Sequence, residues 1–72
     1  MLGSPEISIV IPVYNEEESL PQLFKELYPV MENLQRSFEI IFINDGSRDK
    51  SFAMLYDFQK EHEKTVRVID LN

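Results

Sequence analysis

Hydrophobic residues along the chain follow two spacings in turn. Ile7 to Val13 (ISIVIPV) is a short, β-branched, nearly all-apolar run between polar residues, the pattern of a strand buried on both faces. Pro12 cannot donate to a sheet ladder, so it marks the carboxyl rim where pairing ends. From Ser19 the period lengthens: Leu20, Leu23, Phe24, Leu27, Val30, Met31 and Leu34 follow the i, i+3, i+4, i+7 rule of an amphipathic helix. Ser19 with Gln22 matches a capping box, and Pro21 is tolerated in a first turn. Pro29 lacks the N–H that would reach the Lys25 carbonyl, which predicts a kink. Phe38 to Asn44 (FEIIFIN) is a second strand. Asp49 is placed as the N-cap of a second helix over KSFAMLYDFQKEHEK, with Phe52, Leu55, Tyr56 and Phe58 on its apolar face. Thr65 to Leu71 (TVRVIDL) alternates more, as a strand near a sheet edge does.

The order is β-α-β-α-β. Strands joined through helices run parallel with right-handed crossovers, so the fold class expected is α/β, a three-layer Rossmann-like arrangement on a parallel three-stranded sheet. Asn44-Asp45-Gly46 could be read as a hairpin turn, but the residues after it have a helical rather than an alternating period, which excludes a hairpin. In a parallel sheet all carboxyl ends share one edge, where ligands bind. Two polar clusters fall on that edge: Pro12-Val13-Tyr14-Asn15-Glu16 after the first strand and Asn44-Asp45-Gly46-Ser47 after the second. On neighbouring strands they lie about 5 Å apart.

Asp45 offers two acceptor oxygens, suited to the N–H of a base or to a ribose hydroxyl. Gly46 permits positive φ and close approach of backbone. Tyr14 gives a flat face for stacking, Glu16 an acceptor for ribose hydroxyls, and Ser47 a donor or acceptor. The set suits a nucleoside better than a phosphate, and the glycine-rich phosphate motifs are absent. Plainer readings stand beside these. Asp45-Gly46 alone is a strand-to-helix turn, and Glu17 and Glu18 favour a helix N-terminus. A metal site from Glu16, Asp45 and Asp49 fits no known loop spacing. Ser47 lacks a nucleophile-elbow context, and His62, beside Glu61 and Glu63, reads as a solvated surface residue.

Composition narrows the partners. The chain has 72 residues, 43% hydrophobic, with no Cys and a formal net charge of -6. That balance argues against nucleic acid or an anionic membrane surface as a direct partner, both of which need clustered Lys and Arg. Without cysteine there is no disulfide framework and no Cys-based zinc site, in keeping with a cytoplasmic location. No segment approaches the length of a membrane span.

SIVIPVYNEEESL, followed by FINDGSRDKS and then VRVIDLN, resembles the start of the family 2 glycosyltransferases of the GT-A fold, and most closely those that move a sugar from a nucleotide donor to a polyprenyl phosphate. The likeness runs from Ser8 to Asn72. It implies that residues 1–72 are the nucleotide-binding first part of a GT-A domain, with residues 1–6 a flexible N-terminus. It also implies that Pro12, Val13, Tyr14, Asn15 and Glu16 line the donor pocket, that Asp45 accepts from the base, and that Gly46 and Ser47 shape that wall. Asn44 stands where the family usually has the first Asp of DDGS. The divalent metal (Mg or Mn), its D-x-D motif and the catalytic base are implied downstream, so these residues alone are expected to bind a nucleotide-sugar without transferring the sugar. The parent is expected at the cytoplasmic face of a membrane. The alternative is a non-catalytic α/β regulatory or self-associating module, because a sheet with a free edge and an uncovered apolar face invites association.

Overall fold

The computed structural model describes residues 4–71. Its element order is β1 (Ile7–Val13), α1 (Leu20–Asn33), β2 (Phe38–Asn44), α2 (Ser51–Glu61) and β3 (Val66–Asp70). The sheet is parallel throughout, in the order β1-β2-β3. Register runs to the end of each strand, where Val13 pairs with Asn44 and Asn44 with Asp70. The three carboxyl ends therefore form one level row. Of the expected N-terminal tail, residues 1–3 lie outside the described residues; Glu6 donates its N–H to the Ser37 carbonyl at 3.1 Å.

Strand order advances in one direction, so two right-handed crossovers place both helices on the same face. The aromatic core records this. Phe24 of α1 stacks on Phe58 of α2 with ring centroids 4.0 Å apart, and both meet the edge of Phe42 at the centre of β2. Val13, Leu20, Met31, Ile40, Leu55 and Val66 complete the buried cluster. Of the three layers expected from the Rossmann-like pattern, the described residues thus form two. β1 departs from the expectation of burial on both faces: Ile7, Ile9, Ile11 and Val13 point to the helices, whereas Val10 on the opposite face is 56% exposed. An all-apolar run fits either arrangement, and only the placement of the helices decides between them.

Helix details differ in the same way. Ser19 makes no side-chain cap; its hydroxyl donates back to the Glu16 carboxylate at 2.9 Å, and Gln22 instead bonds Glu26. α1 continues through Pro29 to Asn33, with Pro29 on its exposed side. Val30 and Leu34 stand outside its buried stripe. In α2 the inward residues are Ser51, Leu55 and Phe58, while Phe52 and Tyr56 turn outward and stack loosely on each other. Leu55 and Phe58 lie on the expected face, and Ser51 takes the place expected of Phe52. Small Ser51 is what lets the first turn of α2 press against the loop after β1. His62 is not a solvated surface residue: its ring lies 4.0 Å from that of Tyr28 and 4.8 Å from that of Phe58. With the Tyr28 hydroxyl 2.6 Å from Thr65 Oγ1, it seals the core at the amino-terminal edge, away from the carboxyl ends of the strands.

Candidate nucleotide-binding edge

The loop after β1 and the loop after β2 begin from paired residues, and the Asp45 N–H extends that pairing by donating to the Val13 carbonyl at 2.9 Å. Asn15 then takes a left-handed conformation, φ 51°, which an L-residue adopts at a cost and Asn tolerates best among non-glycines. The turn aims the N–H groups of residues 15–17 at the second loop.

Five hydrogen bonds cross between the loops. The Asn15 N–H donates to Ser47 Oγ at 2.9 Å, and Asn15 Oδ1 accepts from the Arg48 N–H at 2.7 Å. The Glu16 N–H donates to Ser51 Oγ at 2.8 Å. The Glu17 N–H donates to Asp49 Oδ2 at 3.2 Å, and Glu17 Oε1 accepts from the Lys50 N–H at 3.0 Å. Each is a side chain satisfying a backbone donor about thirty residues away, so the loops hold each other rather than being held by their own strands.

This sorts the sequence-predicted residues. Tyr14 and Asp45, each directly after one of the paired strand ends Val13 and Asn44, are both exposed, and among the described residues no hydrogen bond engages the Asp45 carboxylate. Glu16 is exposed, its carboxylate accepting only from the Ser19 hydroxyl. Gly46 has φ +74°, and an added Cβ would meet nothing within 4 Å, so backbone conformation rather than space demands glycine there. Pro12 is exposed on the open face of the sheet. Val13 is buried in the core with its carbonyl taken by Asp45. Asn15 and Ser47 both spend an acceptor on the opposite loop.

Sequence reasoning gives Asp49 an N-cap role and Glu17 a helix N-terminus and assigns Ser51 nothing, whereas in the structure all three tie the two loops together. It also missed Asn44 as a link between strands. Asn44 is 3% exposed, and its Nδ2 donates to Asp70 Oδ1 at 3.0 Å while its own Oδ1 is buried without a partner. With Gly46, Ser47, Arg48 and Phe52 these two residues line a cleft of about 430 Å³ beside the rim.

Asp49 does serve the start of α2, one residue earlier than a strict N-cap, by accepting the Ser51 N–H at 2.9 Å. Partial desolvation pushes its carboxyl up, but hydrogen bonds from Ser51 and from the Glu17 N–H outweigh that and hold it below its ordinary 3.8. A depressed carboxyl stabilises the fold above its unfolded value and loses that contribution as pH falls through the lower folded value. The Glu17 and Ser51 amide resonances are therefore expected to titrate together below pH 3.8. Asp49→Asn should flatten the acid limb of the stability profile; an unchanged acid limb would remove Asp49 from this role.

Among the described residues no group of three His, Asp or Glu side chains is arranged to hold a metal ion. The Glu16 carboxylate accepts from the Ser19 hydroxyl, and that of Asp49 from the loop backbone.

Residues 8–72 match the family model described as Glycosyl transferase family 2. Similar proteins include an uncharacterized glycosyltransferase of Synechocystis sp., 42% identical over 93% of the chain and 21% of its own length. Undecaprenyl-phosphate 4-deoxy-4-formamido-L-arabinose transferases of Pseudomonas fluorescens and Enterobacter sp. are 46% and 42% identical, over 92% and 93% of the chain. The chain spans only about a fifth of the length of these relatives, 19 to 21%.

Proposed function

The chain belongs to glycosyl transferase family 2, and on that premise we propose that its strand-end edge binds the nucleotide of a nucleotide-sugar donor in an enzyme that glycosylates a polyprenyl phosphate. The observation that carries the reading is the rim itself: an exposed aromatic ring, Tyr14, and an uncommitted carboxylate, Asp45, each directly following one of two paired strand ends. A ring to stack on and an acceptor for base N–H groups are what a nucleoside requires. In this reading Glu16, an exposed carboxylate in the same loop, accepts from ribose hydroxyls. The acceptor class is suggested by the relatives that act on undecaprenyl phosphate.

The same reading assigns the remaining steps elsewhere. A departing nucleoside diphosphate needs its charge neutralised, commonly by a divalent metal, and among the described residues no group of three carboxylate or imidazole side chains is arranged to hold one. The 72 residues are therefore proposed to bind donor without transferring sugar. Donor and acceptor would meet at the cytoplasmic face of a membrane. Among the described residues no helix is long and apolar enough to cross one.

The test is an NMR titration of isotope-labelled chain with UDP and then GDP. Shifts confined to residues 12–16 and 44–47, and lost in Asp45→Ala, are expected. A dispersed spectrum that millimolar amounts of either nucleotide leave unmoved would sink the proposal for this chain.

A further inference from the structure

Asn15 and Ser47 sit among the residues expected to touch the nucleotide, yet each has spent its acceptor on the other loop. Asn15 Oδ1 takes the Arg48 N–H at 2.7 Å, and Ser47 Oγ takes the Asn15 N–H at 2.9 Å. The two bonds are reciprocal, so neither loop can shift without breaking both. They lie beside the two rim residues: Asn15 directly follows Tyr14, and Ser47 is two residues beyond Asp45. Asn15 is also the residue whose left-handed backbone, φ 51°, redirects the chain after Tyr14.

We propose that Asn15 and Ser47 are positioning residues, a clasp that sets the Tyr14 ring against the Asp45 carboxylate before ligand arrives, and that the groups meeting the nucleoside are those of Tyr14 and Asp45. The inference rests on the reading of this edge as a nucleoside site and deepens it. Binding two loops into one rigid rim removes ordering that a ligand would otherwise have to supply, which raises affinity without any new contact. The alternative role for Asn15, direct contact, falls most simply to its Nδ2 donor, the side-chain group that takes no part in the clasp.

That difference makes the proposal testable with two substitutions of one residue. Asn15→Asp keeps an acceptor for the Arg48 N–H and tolerates positive φ, but removes the donor. Asn15→Gly keeps the backbone conformation and removes the side chain altogether. Uncharged uridine and guanosine serve as probes, so that the added carboxylate does not act through a diphosphate. Relative to wild type, Asn15→Gly and Ser47→Ala should each weaken binding about five- to tenfold, the scale of one net hydrogen bond. The double variant should lose less than the sum of the two, because both bonds hold the same stretch of the rim next to Tyr14 and Asp45 and neighbouring effects do not add. Asn15→Asp should restore affinity to within about twofold. Loss of binding in Asn15→Asp equal to that in Asn15→Gly would make Nδ2 a ligand contact and overturn the proposal.

A second readout needs no ligand. Backbone order parameters at Tyr14 and Asp45 should stay near the rigid value of about 0.85 in wild type and Asn15→Asp, and fall toward about 0.6 in Asn15→Gly. Hydrogen-exchange protection in β1 and β2 should remain unchanged, as a general loss of fold would not allow. Unchanged order in Asn15→Gly overturns the clasp whether or not a nucleoside binds. Failure of wild type to bind either nucleoside, with the order parameters behaving as expected, overturns the nucleotide reading and leaves the clasp standing as the device that shapes this edge.

Discussion

Phe42→Ala is expected to leave the chain largely unfolded at 25 °C. Phe42 is 0% exposed at the centre of β2, and it is where α1 and α2 meet the sheet, through Phe24 and Phe58 at centroid distances of 5.7 and 6.2 Å. Truncating such a ring costs about 3–5 kcal/mol in lost transfer energy and residual cavity. At roughly 0.05–0.15 kcal/mol per residue, a chain of 72 residues has about 4–11 kcal/mol in total. A sheet covered on one face belongs at the low end of that range, so the substitution removes most or all of it. Phe52→Ala is the matched control. Its ring is 40% exposed on the outer side of α2, and the loss should stay within about 1 kcal/mol. Urea titration followed by circular dichroism distinguishes them. Equal midpoints for the two variants would mean that the core does not lie between the helices and β2.

The contrast between those two phenylalanines also shows where the sequence stops being informative. The strands were readable because β-branched and aromatic runs of seven residues, set between turn residues, have few other fates; β1 and β2 have the expected bounds, and β3 loses one residue at each end. The helical period was equally plain, but its phase was not. Phe52 and Leu55 are both apolar, and nothing in their spacing says that small Ser51 rather than Phe52 faces the sheet. That choice is made by the β1 loop, whose Glu16 N–H needs the Ser51 hydroxyl. The candidate site divides along the same line. Residue types at the strand ends, and the parallel order that gathers them, could be read directly. Which of them are committed to one another could not, since each loop-to-loop bond joins residues more than thirty positions apart and depends on a backbone turn at Asn15. Asn44 is the sharpest case. As a sequence feature it is a single departure from the four-residue DDGS pattern; in the fold it is a buried amide bridging to Asp70 with one oxygen left over.

Purified in isolation, the chain is expected to associate through the sheet face opposite the helices, and two charges placed there should make it monomeric. That face carries Val10, Ile69 and Leu71, exposed by 56, 46 and 60%, around half-buried Ile41 and Ile43. Parallel sheets are found with both faces covered, and in a solution of this chain alone the only apolar surface available for cover is a second copy. Burial of one such patch must offset the several kcal/mol lost on association, so dimers should appear at high micromolar concentration rather than at nanomolar. Val10→Lys with Ile69→Lys sets a charge on β1 and another on β3, neither in the helix-facing core, so the fold should survive while two desolvated ammonium groups per copy oppose contact. Val30→Lys tests the assignment from the other side, because Val30 is equally exposed, at 57%, but lies on α1. Sedimentation equilibrium should show wild type and Val30→Lys associating alike and the double variant remaining monomeric. A wild type that sediments as a clean monomer at high micromolar concentration would refute association altogether, whereas dispersal by Val30→Lys would move it from the sheet to the helices.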